Sequence, residues 1–157
     1  MRRAATLLLA AMLLTVSPGF AGEAVMPPPG DRDKCPVCGM FVKPYPEWTA
    51  AVVYRDGHAH YFDGAKDLFK FLQGPQQFVA THRPDEVNAI VVTEYYALAP
   101  IDARSALFVI GSDVLGPMGR ELIPLATAPD AAEFVKDHGG RVLTFDAVTA
   151  AQVKELE

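Results

Sequence analysis

The alternation of apolar and polar positions sets out a sequence of short elements. Thr49 to Tyr54 carries no charge, Asp56-Gly57 interrupts it, and a second run follows from His58 to Phe62. An Asp-Gly pair between two apolar runs predicts a hairpin. The spacing of Ala65, Leu68, Phe69, Phe71 and Leu72 gives one apolar stripe at helical period, which predicts a helix over 65–72 with Asp63 as its cap and Gly74-Pro75 as its stop. Ala89 to Thr93 is a short continuous apolar run, which predicts a buried strand. The second half repeats this order. A strand is expected over 106–110, a glycine-rich loop over 111–119, a strand over 122–125, and a helix over 131–137 opened by Pro129-Asp130 and ended by Gly139-Gly140. A strand over 141–145 and a last helix within 147–156 complete it. Two β-β-α-β units, about 48–96 and 100–157, predict a duplicated α+β fold.

The N-terminus has a different pattern. Arg2 and Arg3 lead into an apolar run from Ala4 to Val16, and Pro18-Gly19-Phe20-Ala21 offers small residues before a cleavage point. This predicts a secretory signal peptide over 1–21, cut near Ala21, and a periplasmic product without stable membrane insertion. No cysteine stands at the cleavage region, so no lipobox is read there. Residues 22–34, with Pro27, Pro28 and Pro29, read as a flexible proline-rich linker to a domain over 35–157. Half of the 157 residues are hydrophobic and 21% are charged, which is enough apolar content for a packed core. The net charge of −5 becomes two units more negative once Arg2 and Arg3 are removed. An acidic chain without a basic patch argues against nucleic acid as a partner.

The chemistry concentrates in Cys35-Pro36-Val37-Cys38-Gly39-Met40, which holds both cysteines of the chain. A lone Cys-x-x-Cys serves zinc sites, redox pairs and disulfides alike. Met40 shifts the reading toward Cu(I), because a thioether is a poor zinc ligand and a good cuprous one. Cys38 and Met40 flank Gly39, whose backbone freedom lets both sulfurs turn toward one ion. Cys35 is a further ligand or a redox partner, and Met118, between Gly116-Pro117 and Gly119, is a candidate outer ligand. Placed between prolines, the loop is expected at a water-facing, mobile edge where an acceptor can reach the metal. His58 and His60 share a strand face and could clip a metal or simply lie on a solvated hairpin. His138 suits a helix C-terminus, His82 a polar loop, Asp102 and Arg104 a turn, and Trp48 the core. Two other readings stay open. A thiol–disulfide oxidoreductase would need an activated Cys35. A structural zinc knob would need two more ligands, with His58 and His60 as the substitutes in view.

Several segments together resemble the NosL family. These are Cys35 to Met40, Tyr61-Phe62-Asp63 with Asp67-Leu68-Phe69, Ile101-Asp102-Ala103-Arg104, and Gly116-Pro117-Met118-Gly119 with Glu121-Leu122-Ile123-Pro124. The resemblance implies paired β-β-α-β units and a non-enzymatic, periplasmic Cu(I) metallochaperone. It implies as partner a copper-accepting protein, nitrous oxide reductase or its maturation transporter complex, with delivery to the copper–sulfide centre. The family's Cys-x-Met core falls on Cys38 and Met40. Many relatives are lipoproteins, whereas this chain lacks the lipobox cysteine, and it carries Cys35, which not every member has. A fainter similarity to small YHS-type metal modules ends at Asp63 and Lys66, where those modules usually carry a further cysteine.

Overall fold

The structure is a computed structural model that describes residues 24–79 and 82–157. The predicted signal peptide lies outside the described residues. The first unit is β1 (Ala50–Tyr54), β2 (Ala59–Phe62), α1 (Ala65–Leu72) and β3 (Val87–Thr93), followed by β4 (Pro100–Asp102). The second is β5 (Leu107–Gly116), β6 (Gly119–Leu125), α2 (Ala128–His138) and β7 (Arg141–Thr144), followed by α3 (Ala150–Lys154). The two sheets are antiparallel, with orders β2-β1-β3-β4 and β6-β5-β7. In each unit the first strand is therefore central, between the second and third, as a duplication requires.

Local chemistry explains the elements. All five residues of β1 are buried, consistent with a central strand built from Ala, Val and Tyr. At the hairpin, Gly57 takes φ +86°, and the Asp56 carboxylate accepts the His58 N–H at 2.9 Å. At the start of α2, Thr127 Oγ1 accepts the Asp130 N–H. Pro129 sits in the first turn, where no donor is missed, so the helix begins three residues earlier than its apolar stripe suggests.

Two elements depart from expectation. The segment 111–119 is strand and tight turn, not a glycine-rich loop. Gly111 at φ +82° takes up an irregularity in the register between Ile110 and Leu115, after which β5 continues to pair with β6 as far as Gly116 opposite Gly119. Pro100–Asp102 adds an edge strand, pairing Ile101 with Val92. The proline-rich stretch also differs from a free tether: Met26 packs against the core, and Pro27, Pro28 and Pro29 line a groove with Lys43, Pro46 and Thr49.

α1 joins the units, touching β1 and β2 of its own sheet, β6 of the other, and α3. Alternate residues of β5 divide accordingly. Phe108 and Ile110 join the core around Phe62, Leu68, Phe69 and Phe71, while Val109 faces Ile123, Leu125 and Phe134 beneath α2. The start of α1 is thus held from both units.

Candidate metal centre

The Cys-x-x-Cys segment forms a tight knuckle. Lys34 and Phe41 make an isolated antiparallel bridge, Cys35 N–H donates to the Met40 carbonyl at 2.8 Å, and Gly39 N–H donates to the Cys35 carbonyl at 2.9 Å. Gly39 has φ +80°, the left-handed conformation that closes the turn. Inside this curl the amides of Cys38 and Val37 are directed at the Cys35 sulfur, and that of Met40 at the Cys38 sulfur.

Two carboxylates face the knuckle. Cys35 Sγ donates to Asp67 Oδ2 and Cys38 Sγ to Asp63 Oδ1, both at 3.2 Å. Ligand atoms of Cys35, Cys38, Asp63 and Asp67 all lie within 4.8 Å of one another. Neither cysteine is in a disulfide. Burial, reinforced by the carboxylates that hold the S–H protons, pushes both thiols up, Cys38 to about 12 and Cys35 further. The other Asp63 oxygen is buried and has no hydrogen-bond partner. A buried carboxylate oxygen without a donor, on the residue that faces Cys38, is a group that a bound cation would satisfy.

Glu121 of β6 organises this end of α1. Its Oε1 accepts the Lys66 N–H in the first turn of the helix and the Leu122 N–H, so it supplies a cap from 55 residues away. Burial raises its carboxyl to about 8. Lys66, itself buried, donates from Nζ to the carbonyls of Met118 and Arg120 at 3.0 Å each. The β5–β6 turn is thereby fixed over the helix start, with Met118 46% exposed. Met40 is half-buried in the knuckle itself.

Three expectations need correction. Cys35 is not at a water-facing edge: it is 1% exposed and part of the core, and Cys38 is half-buried. The knuckle is anchored in the core through Cys35 and the buried Val42, where the flanking prolines suggested a water-facing loop. Asp63 does not cap α1, whose N-cap is Gly64 without a side-chain bond; Asp63 turns to Cys38, and Glu121 takes the capping role. The further ligating side chains near the thiols are the carboxylates of Asp63 and Asp67, not the imidazoles of His58 and His60. Sequence reasoning missed these carboxylates. Their four-residue spacing across the start of a helix was the available sign, since it places both at one helix end.

The histidines form a separate group. His58, His60 and His82 have ligand atoms within 4.8 Å of one another. His138 ends α2 and pairs with Asp113 at 3.0 Å. Asp102 accepts the Arg104 N–H at 2.9 Å, a turn contact, and Trp48 packs beneath α2.

The NosL family model matches residues 26–153. The copper-binding lipoprotein NosL of Stutzerimonas stutzeri is 28% identical over 137 residues, 80% of this chain and 66% of that protein. The chain thus spans about two thirds of that relative's length. Among solved structures, the copper chaperone NosL of Shewanella denitrificans superposes with a TM-score of 0.68 at 26% identity, over 83% of this chain and 98% of that one. The solution structure of apo-NosL from Achromobacter cycloclastes is 27% identical over 66% of this chain and 87% of its own, with a TM-score of 0.48. No helix among the described residues is long and apolar enough to cross a membrane. With the family match covering both sheets, the cysteine knuckle and the carboxylates facing it, the chain belongs to the NosL family.

Proposed function

We propose that this protein is a periplasmic Cu(I) metallochaperone that delivers copper for assembly of the copper–sulfide centre of nitrous oxide reductase. The observation that carries the copper reading is the convergence of two cysteine sulfurs, with Met40 in the same knuckle, beside a buried carboxylate oxygen that lacks a partner. Thiolate and thioether are the donors that select Cu(I). Cys35, Cys38 and Met40 are the proposed ligands, and Met118, fixed over the same helix end, is an outer ligand or docking residue for the acceptor. The family relatives described as copper-binding or copper chaperones support cargo binding as the role.

Protons are central to the proposed transfer. Each thiol keeps its proton and donates it in a hydrogen bond to a carboxylate. Cu(I) binding converts S–H to thiolate, and Asp63 and Asp67 are the nearest acceptors for the two protons, which then pass to water. When a soft ligand of the acceptor takes the ion, the thiols recover their protons, which favours release. The thiols are poor nucleophiles in this setting, because burial raises both where a disulfide-exchange enzyme would lower one.

A second reading has its own support: two sulfurs and two carboxylates are an acceptable tetrahedral zinc set. Competition decides between them. Reduced protein exposed to equimolar Cu(I) and Zn2+ retains copper, and the loaded form passes it to purified apo nitrous oxide reductase or its maturation complex faster than a small-molecule Cu(I) complex does. Retention of zinc in place of copper refutes the copper reading; failure of transfer refutes the delivery reading alone.

A further inference from the structure

We propose that His58, His60 and His82 form a second metal site, for a divalent cation of the imidazole-seeking, zinc-like class. The three rings come from two separate places in the chain. His58 and His60 flank the start of β2, and His82 comes from the connection between α1 and β3, just before the turn Pro84–Glu86. The hairpin fixes the first two: Tyr54 N–H donates to the His58 carbonyl at 2.8 Å, and Asp56 accepts the His58 N–H. The third stacks on Tyr54 with ring centroids 4.0 Å apart and lies parallel to His58 at 4.8 Å and 4°. His60 meets His58 edge-on at 4.8 Å and His82 edge-on at 5.7 Å.

Three ligand nitrogens fall within 4.8 Å of one another. Two bonds of about 2.0 Å at a tetrahedral angle set nitrogens about 3.3 Å apart, so small side-chain rotations close the set on one ion. His60 Nε2 is buried without a hydrogen-bond partner, a cost that an ion would relieve. Asp56 holds His82 Nε2 at 3.2 Å, supplying the carboxylate that commonly orients a ligating imidazole. With nitrogen donors and no sulfur, the set suits a borderline divalent ion over Cu(I), and over hard cations that seek oxygen. It lies at the opposite end of β2 from Asp63, with His60 packed on Phe71 where the thiol group uses Asp67, one helical turn earlier.

Zn2+ is the probe, added to tag-free protein at constant pH and followed by 1H–15N spectra of the imidazole rings. His58, His60 and His82 shift together and saturate at a common equivalence point, while His138, the fourth histidine of the chain, stays in place. The same shifts persist in Cys38→Ser, because the site is independent of the thiols. His58→Gln, at an exposed position, leaves the fold intact and weakens Zn2+ binding at the other two rings at least tenfold. The proposal is overturned if His60 and His82 shift no more than His138, if His58→Gln changes nothing, or if Cys38→Ser abolishes the response.

Discussion

The dependence of Cu(I) affinity on pH follows from the two protonated thiols. Both hold their protons far above neutrality, because burial and a facing carboxylate favour the neutral form. Binding as thiolate therefore expels one proton per sulfur across the whole neutral range, and log K rises by about one per pH unit for each sulfur that ligates. If Cys35 and Cys38 both bind, affinity gains about a hundredfold per unit between pH 6 and 8; if Cys38 binds alone, about tenfold. The assay is a Cu(I) competition titration under strictly reducing, oxygen-free conditions, at several pH values, corrected for protonation of the competing chelator. A slope near 2 in the wild type, falling to near 1 in Cys38→Ser, establishes two ligating thiols. A slope near zero in the wild type refutes thiolate ligation. The direction is fixed: acid weakens binding, as it must when ligand protons are displaced.

Met40→Leu is expected to lower Cu(I) affinity at least tenfold while leaving the thermal midpoint within a degree or two, because leucine replaces the volume but not the sulfur; unchanged affinity removes Met40 from the ligand set. Glu121 is held at about 8 in the folded state against 4.5 as its ordinary value, so the folded protein binds more protons between those pH values and loses stability as pH rises through them, by up to about 5 kcal/mol. Urea denaturation of metal-free Glu121→Gln should be nearly flat between about pH 6.5 and 8, where wild type declines. His60, pushed down to about 4, acts oppositely below its ordinary value in both proteins, so parallel curves for the two would contradict the assignment. A Cβ at Gly64 would stand 2.1 Å from Glu121 Oε2, so Gly64→Ala should displace the cap of α1 and cost about 1–3 kcal/mol, read from the urea midpoint. Stability equal to wild type would mean that the carboxylate moves without loss.

The repeat of β-β-α-β was legible because each apolar run is short and punctuated, and α1 falls on the predicted residues 65–72. β5 was harder to read, since Gly111 resembles a terminator in sequence but serves as an irregularity that lets the strand continue. That the two cysteines lie together was legible from their spacing. Their burial was not, because it depends on Cys35 packing beside Val42 in a core assembled from distant strands. Asp63 and Asp67 lie 25 and 32 residues from the thiols they accept from, and Glu121 lies 55 from the amide it caps. The first two pairings arise only when the knuckle is laid against the start of α1, and the third only when the second unit is. His58 and His60 were read as a pair from the period of two, whereas His82 joins them through tertiary stacking on Tyr54.

The central claim is that copper sits on the sulfurs of the knuckle. X-ray absorption at the copper edge of the Cu(I)-loaded, reduced protein tests it most directly. The expected spectrum is that of a cuprous ion whose nearest shell is mainly sulfur, with one sulfur fewer in Cys38→Ser and again in Met40→Leu. A shell of nitrogen and oxygen alone, unchanged by either substitution, contradicts it.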